Sequence, residues 1–264
     1  MELELKHPLA FVPTMGALHA GHQSLITIAK SYAPNVLVSV FVNPLQFENP
    51  DDLAQYPRDL DGDAVKAESA GATFVWSPTI EEIYPAQPSI INAGELGNLF
   101  EGVHRFGHFD GVLTVVKRLF DLINPQFAVF GEKDFQQLFL IKKMVKELAL
   151  PIEIIQAPIV READGLAMSS RNIRLTSDSR TISLVLSRAL ESAAQEIDIN
   201  KARKVLHEVL RAEPGFTIDY AEIIDENDFT LATEATLSPR AIIAGWINDL
   251  RLIDNMQMNC GGTR

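Results

Sequence analysis

The chain is 264 residues long, 47% apolar and 22% charged, with a single cysteine and a formal net charge of −12. That length suits one large globular domain or a medium and a small one. The acidic balance speaks against a nucleic-acid partner, which asks for surplus Lys and Arg, and one cysteine excludes a disulfide framework. No basic-then-apolar leader opens the chain and no run of about 18 apolar residues suggests a membrane span, so the expectation is a soluble, cytoplasmic protein.

Leu9 to Pro13 reads as a first buried strand, and Gln23 to Ala33 as a helix with Leu25, Ile26, Ile28 and Ala29 on its apolar side. Between them the run Phe11-Val-Pro-Thr-Met-Gly-Ala-Leu-His-Ala-Gly-His22 breaks at a glycine and passes through His-x-Gly-His. A helix N-terminus presents about four unpaired N–H groups and the positive end of a dipole, a setting that attracts phosphate. His19 and His22 are three apart, so on a helix starting near His19 both imidazoles share a face and each can donate to a phosphate oxygen. Two other readings remain. One histidine could cap the helix beside an ordinary surface histidine, or the pair could ligate zinc, although no third ligand stands nearby and Cys260 lies at the far end.

Asn35 to Val42 is a β-branched run suited to a central parallel strand, and it ends in the polar Asn43-Pro-Leu-Gln46. Asp59, Asp61 and Asp63 open a helix over Asp61 to Ala70. They offer carboxylates to a Mg²⁺ accompanying a nucleotide, or they are a solvated acidic helix start. Ala72 to Trp76 reads as a third strand and Ser89 to Ala93 as a weaker extended segment. Phe100 to Phe109 gathers Glu101, His104, Arg105 and His108 around two glycines, as a lid or a subunit contact. A helix over Gly111 to Ile123, a strand over Gln126 to Phe130, a helix over Asp134 to Ala149 and a strand over Ile152 to Gln156 follow.

This alternation predicts a doubly wound, Rossmann-like α/β domain with a parallel sheet over residues 1–175, its pockets at the carboxyl ends of the strands. From Thr176 the pattern changes. Helices over Ser177 to Glu196 and Lys201 to Arg211, then strands over Phe216 to Ile224, Ala241 to Trp246 and Leu250 to Ile253, predict a small α+β lobe over residues 176–264 that packs on the first domain and covers its site.

Two further clusters carry chemistry. Phe130-Gly-Glu-Lys-Asp-Phe-Gln-Gln137 is a second strand-to-helix crossing. Lys133 there could neutralise phosphate charge, or it is solvated between two first-turn acids. Val160-Arg-Glu-Ala-Asp-Gly-Leu-Ala-Met-Ser-Ser-Arg-Asn172 ends in Ser169, Ser170 and Arg171, two hydroxyls and a guanidinium able to wrap a polyphosphate, or else it is a capping loop. No Walker loop, Gly-x-Gly-x-x-Gly, Gly-x-Ser-x-Gly or His-Glu-x-x-His is present.

His-x-Gly-His with a downstream basic Ser-rich loop resembles the nucleotidyltransferase superfamily related to class I aminoacyl-tRNA synthetases. Within it Pro13-Thr-Met-Gly-Ala-Leu-His-x-Gly-His22, Phe41-Val-Asn-Pro-x-Gln-Phe47, Tyr56-Pro-Arg58, Gly111-Val-x-Thr-Val-Val116, Phe130-Gly-Glu-Lys-Asp134 and Asp164-Gly-Leu-Ala-Met-Ser-Ser-Arg-Asn172 look like the pantothenate synthetase family, as does Leu252-Ile-Asp-Asn255. The resemblance implies condensation of pantoate with β-alanine, dependent on ATP and Mg²⁺, through a pantoyl adenylate. It implies His19, His22, Lys133, Ser169, Ser170 and Arg171 as catalytic donors. ATP would meet Met15, His22, Gly131, Lys133, Asp134, Val160, Met168, Ser169, Ser170 and Arg171. Pantoate and β-alanine would meet Met15, Asn43, Gln46 and Gln137, with Asp63 near the metal. It also implies a homodimer. The chain departs from the family's pattern in having about eight residues before its first strand, and in reading Ala244-Gly-Trp-Ile-Asn-Asp-Leu250 in the lobe.

Overall fold

The computed structural model describes residues 6–47, 53–54 and 56–261. By its contacts the chain divides into two units, one made of residues up to Glu132 with Gln136–Pro158, the other of Lys133–Phe135 with the chain from Ile159 onward. The division falls earlier than the change of sequence pattern near Thr176. The loop Val160–Asn172 therefore packs with the second unit, and the three residues around Lys133 go with it.

The first unit is built on five parallel strands, β1 (Leu9–Thr14), β2 (Asn35–Val40), β3 (Phe74–Trp76), β4 (Phe127–Gly131) and β5 (Glu153–Ala157), in the order β3-β2-β1-β4-β5. β1 runs beside β2 with Leu9 opposite Asn35 and Thr14 opposite Val40, and beside β4 with Ala10 opposite Phe127. Leu9, Ala10, Phe11 and Val12 have no exposed surface. A strand covered on both faces has to be apolar throughout rather than alternating, which is why it reads as a continuous run. The chain order reverses between β1 and β4, and open α/β sheets bind ligands beyond the carboxyl ends of the strands at such a point.

Helices Ala20–Tyr32 and Leu60–Ser69 cover one region of the core, where Ala10, Val12, Ile26, Ala29, Val36, Val38 and Ala67 meet. The helix His108–Ile123 starts three residues earlier than expected and is buried along most of its length. Ser89 to Ala93 forms no strand. Its amides are instead taken by that helix, Ile91 N–H donating to Thr114 Oγ1 (2.9 Å) and Ala93 N–H to Asp110 Oδ1 (2.7 Å). Side-chain acceptors substitute there for a neighbouring strand.

In the second unit β6 (Thr217–Asp225), β7 (Pro239–Ile247) and β8 (Leu250–Gln257) form an antiparallel sheet in sequence order. Its core gathers Leu186 and Leu190 from the helix Val185–Ala193, Leu206 and Leu210 from the helix Ile199–Arg211, and Ile223, Ile243 and Leu252 from the strands. The single helix expected over Ser177 to Glu196 is two, Ser177–Ser183 and Val185–Ala193. Ser183 Oγ donates to Arg180 O (2.6 Å) and Ser187 Oγ to Leu184 O (3.1 Å), and hydroxyls that bond back onto the preceding turn compete with the helical ladder.

Candidate active site

Where β1 ends, Thr14 Oγ1 donates to Ser39 O (2.7 Å) and accepts from Gly16 N–H (3.3 Å), turning the chain out of the sheet. Gly16 then has φ +90° and Ala17 φ +52°. A Cβ on Gly16 would lie 2.9 Å from Asp63 Oδ2, so a side chain there is excluded by space as well as by backbone. Asp63, in the first turn of Leu60–Ser69 and 1% exposed, holds the next two residues: Ala17 N–H donates to its Oδ2 (2.9 Å) and Leu18 N–H to its Oδ1 (2.7 Å). One buried carboxylate therefore fixes a loop whose left-handed residue would not hold itself.

That loop delivers His19 to the N-cap of Ala20–Tyr32, where the two histidines form a reciprocal capping box. Gly21 N–H donates to His19 Nδ1 (3.1 Å) and His19 N–H donates to His22 Nδ1 (3.3 Å), with the rings 4.1 Å apart. A nitrogen that accepts a backbone N–H carries no proton, so the neutral ring of each histidine bears its proton on Nε2. Nδ1 of each ring thus orders the helix start, and Nε2 carries the proton.

At the end of β2, Asn43 N-caps the turn Pro44–Gln46. It has no exposed surface. Its Nδ2 donates to Gly111 O (3.1 Å), and its Oδ1 accepts from Leu45 N–H (3.3 Å) and from Tyr84 Oη–H (3.0 Å). Burial pushes the Tyr84 hydroxyl up to about 12, which keeps it a donor at any working pH. Asn43, expected as a substrate ligand, has both ends of its amide engaged within the fold, where it shapes the turn carrying Gln46. The buried His108 supports the same turn, its Nδ1 donating to Gln46 O (3.0 Å). Of the Phe100–Phe109 cluster, His108 and Glu101 are buried, and Glu101 N–H donates to Gln136 Oε1 (3.1 Å).

Met15 and Gly16, with Val40, Arg58, Asp59 and Asp63, line a cleft of about 290 Å³ beyond the ends of β1 and β2. At the end of β4, Gly131 and Gln137 are half-buried, and Glu132 accepts from Gln156 Nε2 (2.5 Å).

The remaining expected donors belong to the second unit. Lys133 lies in the short turn Glu132–Asp134, its ammonium 3.7 Å from Asp134 Oδ2. Val160 and Met168 are joined by Met168 N–H donating to Val160 O (2.9 Å), closing a small hairpin. Ser169 then caps the turn Ser170–Arg174, Oγ accepting from Arg171 N–H (3.2 Å). Ser170 is half-buried and Arg171 exposed. Arg180 braces this loop with bonds to Glu162 Oε2 (2.7 Å) and Asp164 Oδ2 (2.8 Å). Burial alone would raise the Glu162 carboxyl, but the hydrogen bonds and charge of Arg180, with a bond from Asn172, hold it below its ordinary value.

Among the described residues no three His, Cys, Asp or Glu side chains are grouped to hold a metal. Asp63, expected near the metal, accepts one backbone N–H on each carboxylate oxygen. Arg161, Tyr84 and Gln136 had been assigned no role from the sequence. Their only signal was that polar side chains in apolar surroundings need partners.

A parallel sheet whose order reverses beside a histidine-capped helix start is an α/β architecture whose ligand crevice opens beyond the carboxyl ends of the strands. The profile of the Pantoate-beta-alanine ligase family matches residues 2–257. The pantothenate synthetase of Acidothermus cellulolyticus is 47% identical over 96% of this chain and 86% of its own length. The pantoate–beta-alanine ligase of Schizosaccharomyces pombe is 46% identical over 94% and 90%. The crystal structure of pantothenate synthetase from Thermus thermophilus superposes with a TM-score of 0.90 at 43% identity, covering 95% of this chain and 93% of that one. A pantoate–beta-alanine ligase from Francisella tularensis, complexed with beta-gamma ATP and beta-alanine, gives 0.78 at 35% identity, covering 97% and 92%. The chain belongs to the pantoate–beta-alanine ligase family and is an enzyme of that class.

Proposed function

We propose that the chain joins pantoate to β-alanine in two steps at the residues described above. A carboxylate is a poor acyl electrophile, so a pantoate carboxylate oxygen first attacks the α-phosphorus of ATP and pyrophosphate leaves. The nitrogen of β-alanine then attacks the acyl carbon of the pantoyl adenylate, and AMP leaves with the acyl oxygen. Negative charge grows on the phosphates in the first step, and fixed donors stabilise it.

The reading assigns those donors to the Nε2–H groups of His19 and His22, the ammonium of Lys133, the hydroxyls of Ser169 and Ser170, and Arg171. Met15, Gly131, Asp134, Val160 and Met168 take the rest of the nucleotide, while Gln46 and Gln137 hold pantoate with Met15 packing on its methyl groups. Asn43 assists at the pantoate or β-alanine end, from the turn that carries Gln46. ATP enters as its Mg²⁺ complex, the ion carried by the phosphates. The chain is read as a cytoplasmic homodimer, which sedimentation and cell fractionation check.

The observation that supports this most directly is the capping box, because it leaves the same tautomer, with a proton on Nε2, in both histidines. The test is release of pyrophosphate from ATP and Mg²⁺ with pantoate, with and without β-alanine. Sustained release that needs both acceptors, with AMP and pantothenate formed in step, is expected. Activity with a different carboxylic acid and none with pantoate would overturn the acceptor assignment.

A further inference from the structure

Lys133–Phe135 follows β4 in the chain, yet its contacts belong to the second unit. Asn255 Nδ2 donates to the main-chain oxygen of Lys133 (3.0 Å). Phe135 stacks on Phe229 at 6.1 Å between ring centres, and the Arg240 guanidinium lies 4.2 Å from the centre of the Phe135 ring. Arg240 Nη1 in turn donates to Asn255 Oδ1 (2.6 Å).

The neighbouring residue serves the other donor segment. Asp254, 2% exposed, takes Arg161 in a two-point bond, Nη1 to Oδ2 (2.7 Å) and Nη2 to Oδ1 (3.0 Å). Arg161 Nη1 also donates to Gly165 O (3.0 Å), closing the hairpin that leads into Ser169, Ser170 and Arg171. Successive residues of a strand point to opposite faces, so two adjacent positions on β8 can hold two different segments. The Asn255 N–H donation to Asp254 Oδ1 (2.7 Å) ties the pair together.

We infer that Asp254 and Asn255 are positioning residues for the first chemical step: one fixes the main chain of Lys133, the other fixes the hairpin before Ser169–Arg171, and together they set the ammonium and the hydroxyls in register before ATP binds. Neither touches substrate; both act through other groups. The inference rests on the reading of Lys133 and Ser169–Arg171 as phosphate donors. A donor displaced by about 1 Å is enough to slow a reaction by on the order of 100-fold.

Asn255→Asp keeps an acceptor for Arg240 and removes the donor to Lys133. Pantoate-dependent exchange of pyrophosphate into ATP by the full chain should slow by about 10-fold or more at saturating substrates, while the half-saturating β-alanine concentration in the complete reaction stays within about twofold. In a Lys133→Ala background the same substitution should change exchange by less than about twofold, because the group it positions is already gone. Equal slowing in both backgrounds would show a merely structural Asn255 and overturn the inference, as would unchanged exchange in Asn255→Asp. Normal exchange in Lys133→Ala alone would overturn the donor role of Lys133, a separate and recognisable failure. Should Asn255→Asp fail to fold, Asp254→Asn against Ser170→Ala gives a second cycle on the other arm with the same opposed outcomes.

Discussion

Asp63→Asn tests how the histidine-bearing loop is held. The carboxylate receives two consecutive N–H groups, from Ala17 and Leu18, at 2.9 and 2.7 Å in a position 1% exposed. A hydrogen bond to a charged partner contributes about 1.5–3 kcal/mol. Asn keeps one acceptor oxygen, but its NH₂ meets an N–H, so one bond becomes a contact between two donors at a position 1% exposed. The loss is about 2–3 kcal/mol, or roughly 5–10 °C in Tm for a chain of this size. Ala17 at φ +52° then lacks the partner that keeps it left-handed, the cap residue His19 shifts, and adenylation should fall by on the order of 100-fold. Thermal unfolding and pyrophosphate exchange, each measured across a Mg²⁺ titration, read both effects. If Asp63 were instead a cation ligand, Tm would stay put, half-saturating Mg²⁺ would rise and excess Mg²⁺ would restore the rate. That result would refute the reasoning.

Loss of a single transition-state donor should cost about 100-fold or more in adenylation for His22→Ala and for Lys133→Ala, read as single-turnover formation of pyrophosphate; near-normal rates in both would sink the assigned roles. Gly111→Ala would put a Cβ 2.1 Å from Leu45 O, so the turn Pro44–Gln46 must move and the Asn43 bond to Gly111 O must break. Overpacking of this kind costs about 1–3 kcal/mol, and half-saturating pantoate should rise by about 10-fold while that of ATP holds, in initial-rate kinetics. Acid should loosen the loop before the core. Although burial alone would raise Glu162 and Asp164, Arg180 holds both below their ordinary values of 4.5 and 3.8. An acid with a lowered folded value contributes stability that is complete above its ordinary value and is lost as pH falls through the lowered one. Tm should therefore drop more steeply below about pH 4 in the unsubstituted chain than in Arg180→Met, and parallel curves would count against this ion-pair reading.

The parallel sheet was legible because strands covered on both faces need apolar centres, and Leu9–Val12 of β1 and Val36–Val38 of β2 have no exposed surface. The limits of reading lie where a polar side chain replaces backbone pairing. Ser89 to Ala93 has the look of a strand, yet its partners are Thr114 and Asp110, and nothing in a local pattern announces an acceptor some twenty residues away on a helix. Ser183 and Ser187 divide a helix without any proline or glycine, through hydroxyl bonds that periodicity cannot register.

The site follows the same division between local and distant information. The histidine pair's capping was legible because both partners lie within four residues of chain, and the structure gives the Nδ1 of each ring to a backbone N–H. The resemblance offers Asp63 and Asn43 as ligands, and nothing local in the sequence announces their fold partners. Their partners, Ala17 and Leu18 for one, Gly111 and Tyr84 for the other, stand some 40 to 70 residues away in sequence. In both cases the polar group bonds to backbone of a distant segment and sets the geometry there. Residue type and strand-end position thus point to a candidate site, while the fold partners of its polar residues emerge only when each buried hydrogen bond is followed to its end.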